Sequence, residues 1–235
     1  MAESHSSSST IKAELYKLED LPDSDDEAEN PVPPVENLMS ATDLITGLLE
    51  QHEIQYAVMG GFAVNLLQGQ RETKDIDVCF NGGFKHLRSI LEQQSRLIIP
   101  STKLASGILK VFVKTGPGQD HCKESHKIEV DLIESGVLGS PKDLEQHQRP
   151  VTIGTNVGQV RTIKTLDILY LLRSKMGAFR QRESQSDRTD ILHLLGTYES
   201  EARAVSGKLD REAVEYFVES MPEEDQPFFK TLLGI

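Results

Sequence analysis

Asp75 and Asp77 alternate with apolar side chains in the run Asp75-Ile76-Asp77-Val78-Cys79-Phe80. A β-strand sends alternate side chains to one face, so the two carboxylates stand side by side with Cα atoms roughly 6.6 Å apart. Hard carboxylate oxygens in that arrangement suit Mg2+ or Mn2+. A third carboxylate from a neighbouring strand would complete a cage, and Lys127-Ile128-Glu129-Val130-Asp131-Leu132 offers Glu129 and Asp131 on one face. Asp131 is the preferred third ligand, because Val130 and Leu132 flank it as Ile76 and Val78 flank Asp77; Glu129 stays open as the alternative. Such a set offsets the charge of paired metal ions that stabilise the attacking and leaving oxygens of a displacement at phosphorus.

Upstream, the apolar run Tyr56 to Met59 has strand character, Gly60 and Gly61 break it, and Phe62 to Leu67 reads as a helix. A helix that starts just after Gly61 points unpaired N–H groups and its positive dipole end at any phosphate placed there. Glycine also lets a polyphosphate come close to the backbone.

Together these elements resemble the pattern of the nucleotidyltransferase superfamily (DNA polymerase beta-like). That pattern is hydrophobic-Gly-Gly/Ser, a spacer of nine to thirteen residues, then Asp-hydrophobic-Asp/Glu-hydrophobic; here it reads Met59-Gly60-Gly61, thirteen residues, and Asp75-Ile76-Asp77-Val78. The stretch Arg71-Glu72-Thr73-Lys74-Asp75-Ile76-Asp77 is similar to a form found among minimal and abortive-infection-type members. The resemblance spans Tyr56 to Leu195. It makes Arg71 and Thr73 candidates for site support. By the same resemblance Lys175, on a later helix, holds the triphosphate, while Arg182 and Asp190 brace it.

The resemblance implies an enzyme that moves a nucleoside monophosphate from a nucleoside triphosphate such as ATP to an acceptor hydroxyl, releasing pyrophosphate. Asp75, Asp77 and Asp131 would hold the metal, with Asp131 as base on the acceptor. Small molecules, protein side chains and RNA ends are acceptors within the superfamily. Two other readings are a non-catalytic module that keeps the fold and binds a nucleotide or protein partner, and a toxin–antitoxin component.

The elements that must position these residues form an α/β (α+β) nucleotidyltransferase fold, a small mixed sheet flanked by helices and followed by a helical region. Ser40 with Asp43 reads as a capping box opening a helix to about His52. Further helix is expected over Phe84 to Gln94, and an antiparallel strand pair over Ile108 to Val113 and Lys127 to Ile133. Val151 to Ile153 and Val157 to Ile163 suggest a hairpin. Helices follow over Leu166 to Arg182, Asp187 to Tyr198 with Ser186 as N-cap, Arg211 to Ser220 and Pro227 to Leu233. The expected division is an acidic tail over 1–36, a catalytic domain over 37–163 and a helical domain over 164–235.

Residues 1–36 carry ten acidic side chains against Lys12 and Lys17, a balance of −8 out of −12 for the whole chain. Apolar side chains there are too sparse to offset the entropy of ordering, so a disordered tail is expected. Ser24, inside the acidic run Asp23 to Glu27, is a candidate phosphoacceptor. The remainder is only mildly acidic and has no Lys/Arg run interleaved with aromatics, which argues against long nucleic acid and leaves transfer RNA open. No segment reads as a membrane span or the apolar core of a signal peptide, so a soluble intracellular protein, cytoplasmic or nuclear, is expected. Cys79 and Cys122 are too few for a disulfide framework, and Cys79 reads as core packing. His121, His126 and Cys122 lack the paired spacing of a zinc site.

Overall fold

The two acid-bearing runs become neighbouring strands at the middle of an eight-stranded mixed sheet among the described residues. The structure, a computed structural model, describes residues 12–17, 19, 31–102, 107–154 and 160–235. Along the chain the strands are β1 (Glu14–Tyr16), β2 (Tyr56–Met59), β3 (Asp75–Phe80), β4 (Leu97–Pro100), β5 (Ile108–Thr115), β6 (His126–Glu134), β7 (Gln148–Gly154) and β8 (Val160–Leu166). Their order across the sheet is β1-β4-β5-β6-β3-β2-β8-β7. β3 and β6 run parallel, while β2 with β3, β5 with β6 and β7 with β8 are antiparallel.

Alternation decides which face is packed. On β5, Leu109, Val111 and Val113 are buried while Lys110, Phe112 and Lys114 are only partly so. On β6, Ile128, Val130 and Leu132 are buried between half-buried Glu129 and Asp131. The buried face rests on helix α1 (Val35–Gln51), whose Leu38, Ile45 and Leu49 join the same core. The acids therefore stand on the opposite face, as period-two patterning requires.

α2 (Gly60–Leu66) follows β2 directly, and α3 (Phe84–Leu91) follows β3. The helical region comprises α4 (Ile168–Arg182), α5 (Gln185–Thr197), α6 (Glu199–Val205), α7 (Arg211–Glu219) and α8 (Gln226–Leu233). α4 and α5 both pack on α2, which ties this region to the glycine turn. Asp167 and Asp210 cap α4 and α7, accepting from Tyr170 N at 3.0 Å and Ala213 N at 2.8 Å.

Several expectations are corrected. α1 starts at Val35, just after Pro34, so Ser40 is not its cap: it lies inside the helix, and its hydroxyl donates to Asp120 at 2.5 Å. The partner is 80 residues away, which local pattern does not reveal. α5 is capped by Ser184 rather than Ser186. Strand β4 and helix α6, neither expected, are present. Within the segment expected to be a tail, Glu14–Tyr16 is an edge strand paired parallel to β4, and Val35 and Glu36 begin α1. Residues 1–11, 18 and 20–30 of that expected tail, Ser24 included, lie outside the described residues, as do residues 157–159 of the expected second hairpin strand.

Cys79 packs in the core with no exposure, as expected. Cys122 is also buried, its thiol donating to the Glu36 carbonyl at 3.3 Å. No helix among the described residues is long and apolar enough to cross a membrane.

Candidate active site

Gly60, the first residue of α2 directly after β2, lies in the left-handed region, at φ +67°. A Cβ there would overlap the Asp77 carboxylate, so the position demands glycine twice over, by conformation and by space. A Cβ on Gly61 would meet the Arg71 guanidinium and the Thr73 hydroxyl. Both glycines thus make room for the side chains of Asp77, Arg71 and Thr73.

Register brings the acids together. On parallel β3 and β6, Asp75 faces Glu129 and Asp77 faces Asp131. All four side chains stand on one sheet face. Asp75 Oδ1 accepts from the Thr73 hydroxyl at 2.9 Å, which makes Thr73 an orienting neighbour of the first acid. Glu129 forms an ion pair with Lys110 of β5, and Lys110 lies opposite Asp131 in the β5–β6 register.

Burial, then the negative charges of Asp75 and Asp131, push the Asp77 carboxyl up to about 7; Lys175 works in the opposite direction. Crowded carboxylates of this kind are what a divalent cation relieves, and the all-oxygen donor set suits Mg2+ or Mn2+. Among the described residues no three acidic, histidine or cysteine side chains already converge as a closed cage. In chemistry the carboxylates fit a hard divalent ion, and the strand register sets Asp75, Asp77, Glu129 and Asp131 on one face.

The helical region supplies cations through a chain of alternating charge that is buried in its middle and exposed at Arg182. Arg182 donates to Asp187 through Nε at 2.6 Å and Nη2 at 2.9 Å. Lys175 Nζ lies 3.2 Å from Asp187 Oδ1 and 2.8 Å from Asp190 Oδ2. Asp190 in turn accepts both Nε and Nη2 of Arg71, each at 2.9 Å, in a bidentate pair. The side chains of Lys175, Asp187 and Asp190 are 6%, 0% and 1% exposed, so each charge depends on its partner. Burial alone would raise the Asp187 carboxyl, but Arg182 and Lys175 outweigh it and hold it below its ordinary value.

Asp190 touches Lys175 directly, whereas Arg182 reaches it only through Asp187. Asp187 and Lys110 carry parts of the site that the sequence reading did not assign. The signal for Asp187 was its spacing from Asp190, three residues along one helix face. The signal for Lys110 was its alternation on the strand beside the acids.

No protein-family model matches the chain, and no curated protein sequence does either. Solved structures do. An antigenic nucleotidyltransferase-like protein from Paracoccidioides brasiliensis superposes with a TM-score of 0.59, covering 85% of this chain and 93% of that one at 19% identity. This chain has the nucleotidyltransferase fold. Looser likenesses are a Helicobacter pylori protein, with TM-score 0.49 and 13% identity over 87% of this chain and 92% of that one, and the lincosamide antibiotic adenylyltransferase LnuA, with TM-score 0.40 and 17% identity over 70% and 98%. Within this nucleotidyltransferase fold the central parallel pair β3 and β6 carries the acids, and the glycine turn abuts them.

Proposed function

We propose that the chain is a divalent-metal-dependent nucleotidyltransferase, moving a nucleoside monophosphate from a nucleoside triphosphate to an acceptor hydroxyl with release of pyrophosphate. The observation that carries this reading is the register of Asp77 opposite Asp131 on parallel strands, with Asp75 two residues along the same face. Asp75, Asp77 and Asp131 would hold Mg2+ or Mn2+. Bound there, the ion supplies charge neutralisation at the α-phosphoryl group and the leaving pyrophosphate.

Because the register sets Asp131 directly opposite Asp77, while Glu129 lies opposite Asp75, Asp131 is the third ligand in this reading. It also takes the proton of the acceptor hydroxyl. The acceptor oxygen bonds to the α-phosphorus, the bond from that phosphorus to the β-bridging oxygen breaks, and the electron pair leaves with pyrophosphate. Lys175 has three donor protons and two carboxylate partners, so one donor remains to face the triphosphate. Arg71 and Arg182, at the two ends of the charge chain, flank it; Asp190 and Thr73 hold Arg71 and Asp75 in place. Gly60 and Gly61 let the carboxylate and the guanidinium lie against the turn. Catalysis on this plan is chiefly positioning and electrostatics.

Equilibrium binding of a non-hydrolysable ATP analogue tests the reading. Binding that needs Mg2+ or Mn2+ and is lost in Asp75→Ala/Asp77→Ala supports it; tight binding without metal, unchanged in that variant, refutes it.

A further inference from the structure

β5 carries a cation into the acid cluster. Leu109 and Val111 are buried on the packed face, so the alternation of the strand fixes Lys110 on the face of the acids. The register sets Lys110 opposite Asp131 and Asp131 opposite Asp77, one row across β5, β6 and β3. In the adjoining row Glu129 lies opposite Asp75. Lys110 reaches diagonally into that row and pairs with Glu129. Its strand flanks the two β6 acids on the side away from β3.

The pair differs from an ordinary surface ion pair. The side chains of Lys110 and Glu129 are only 28% and 25% exposed, so their charges are screened less than in open water. The backbone beneath Lys110 is also held firmly. β5 is an interior strand between β4 and β6, and the Tyr16 hydroxyl donates to the Lys110 carbonyl at 2.9 Å. Tyr16 meets Phe112, two residues along β5, with ring centroids 5.6 Å apart. The second lysine near the acids is engaged elsewhere: Lys175 pairs with Asp187 and Asp190 of the helical region.

Four carboxylates on one sheet face carry enough charge to offset paired divalent ions. Here the two on β6 already have a positive charge beside them on a fixed strand. A lysine ammonium is a compact point charge, and it repels a divalent ion brought to the same flank.

We propose that Lys110 takes the part of a second metal ion, so that the site loads a single divalent ion on Asp75, Asp77 and Asp131 where its carboxylates alone would take two. The inference rests on the nucleotidyltransferase reading and deepens it. Lys110 is a positioning residue that holds Glu129, offsets the charge of the β6 acids and sets how many ions enter.

Counting bound ions on the full-length protein tests this. Mn2+ is titrated into wild type, Lys110→Met and Lys110→Arg without nucleotide, and the free ion is read by electron paramagnetic resonance. One ion per chain is expected for wild type and for Lys110→Arg, which keeps the charge. Lys110→Met, which keeps the length of the side chain and loses its charge, should take up two. Lys110→Gln gives the same comparison if Lys110→Met does not fold. Two ions on wild type, two on Lys110→Arg, or one on the uncharged variants overturns the proposal. One ion on wild type and uncharged variants alike removes only the role of Lys110 and leaves the metal-dependent reading standing. A wild type that binds none removes that reading and the proposal with it.

Discussion

Asp77 and Asp131 face each other across the parallel strands β3 and β6, and Gly60 sits against the Asp77 carboxylate where no side chain would fit. The fold holds these groups together against their mutual repulsion. That tension sets the direction of several measurable effects.

Asp77→Asn should stabilise the metal-free protein while abolishing transfer. The Asp77 carboxyl is raised from 3.8 to about 7 in the folded protein. The protonated acid is therefore favoured by folding, a contribution fully present below 3.8 and lost as pH rises through about 7. At pH 8 the wild type carries the whole penalty, on the order of 4 kcal/mol from about three units at 1.36 kcal/mol each. Thermal melts in chelator should show the variant ahead at pH 8, with its advantage shrinking as the pH falls and vanishing near 3.8.

Metal binding should run the other way with pH. A divalent ion takes Asp77 as carboxylate, so binding below pH 7 must first displace a proton. Mg2+ affinity, read by calorimetry, should be about tenfold weaker at pH 6 than at pH 8, and the melting shift at fixed Mg2+ correspondingly smaller. An affinity independent of pH across that range would place the ion away from Asp77.

Gly60→Ala should lower both stability and transfer, because the new methyl strikes the Asp77 carboxylate and the backbone stays in the left-handed region. A loss on the order of 1–3 kcal/mol in urea unfolding is expected. Combining it with Asp77→Ala removes the steric partner and should recover part of the stability but none of the activity. Full additivity of the two stability changes would mean the turn and the acid do not touch.

Asp190→Ala should be among the most destabilising single changes in the helical region. It strips the bidentate partner of Arg71 and one of the two carboxylates on buried Lys175, at a cost of about 3–5 kcal/mol in denaturant unfolding. Asp187→Ala leaves Arg71 paired and Lys175 with Asp190, so its loss should be smaller. Equal and negligible effects would show that the charge chain is not held in solution.

Much of this architecture was legible because it is periodic. The alternation at Asp75 to Phe80 and at Lys127 to Ile133 marks two half-buried strands, and the glycine pair marks the turn before them. What stayed hidden depends on distant partners. Ser40 looks like a cap from its neighbours, but Asp120 and Arg96 claim its hydroxyl. Glu14–Tyr16 is too short and too polar to read as a strand, and only pairing with β4 makes it one. Glu129 and Asp131 share a strand face in the sequence, and only the pairing with β3 shows that Asp131 lies opposite Asp77 and Glu129 opposite Asp75. The charge chain was half visible, since Lys175, Arg182 and Asp190 stood out by resemblance while Asp187, the anion that joins Arg182 to Lys175, did not.

The central claim is that the acids of β3 and β6 transfer a nucleoside monophosphate. Mass spectrometry of a cell extract incubated with the protein, Mg2+ and heavy-labelled nucleoside triphosphates tests it most directly, with Asp75→Ala/Asp77→Ala as the control. The account predicts an acceptor gaining one labelled nucleoside monophosphate, pyrophosphate released in equal amount, and neither product in the control. Extracts with no labelled acceptor, or labelling that persists in the control, would contradict it.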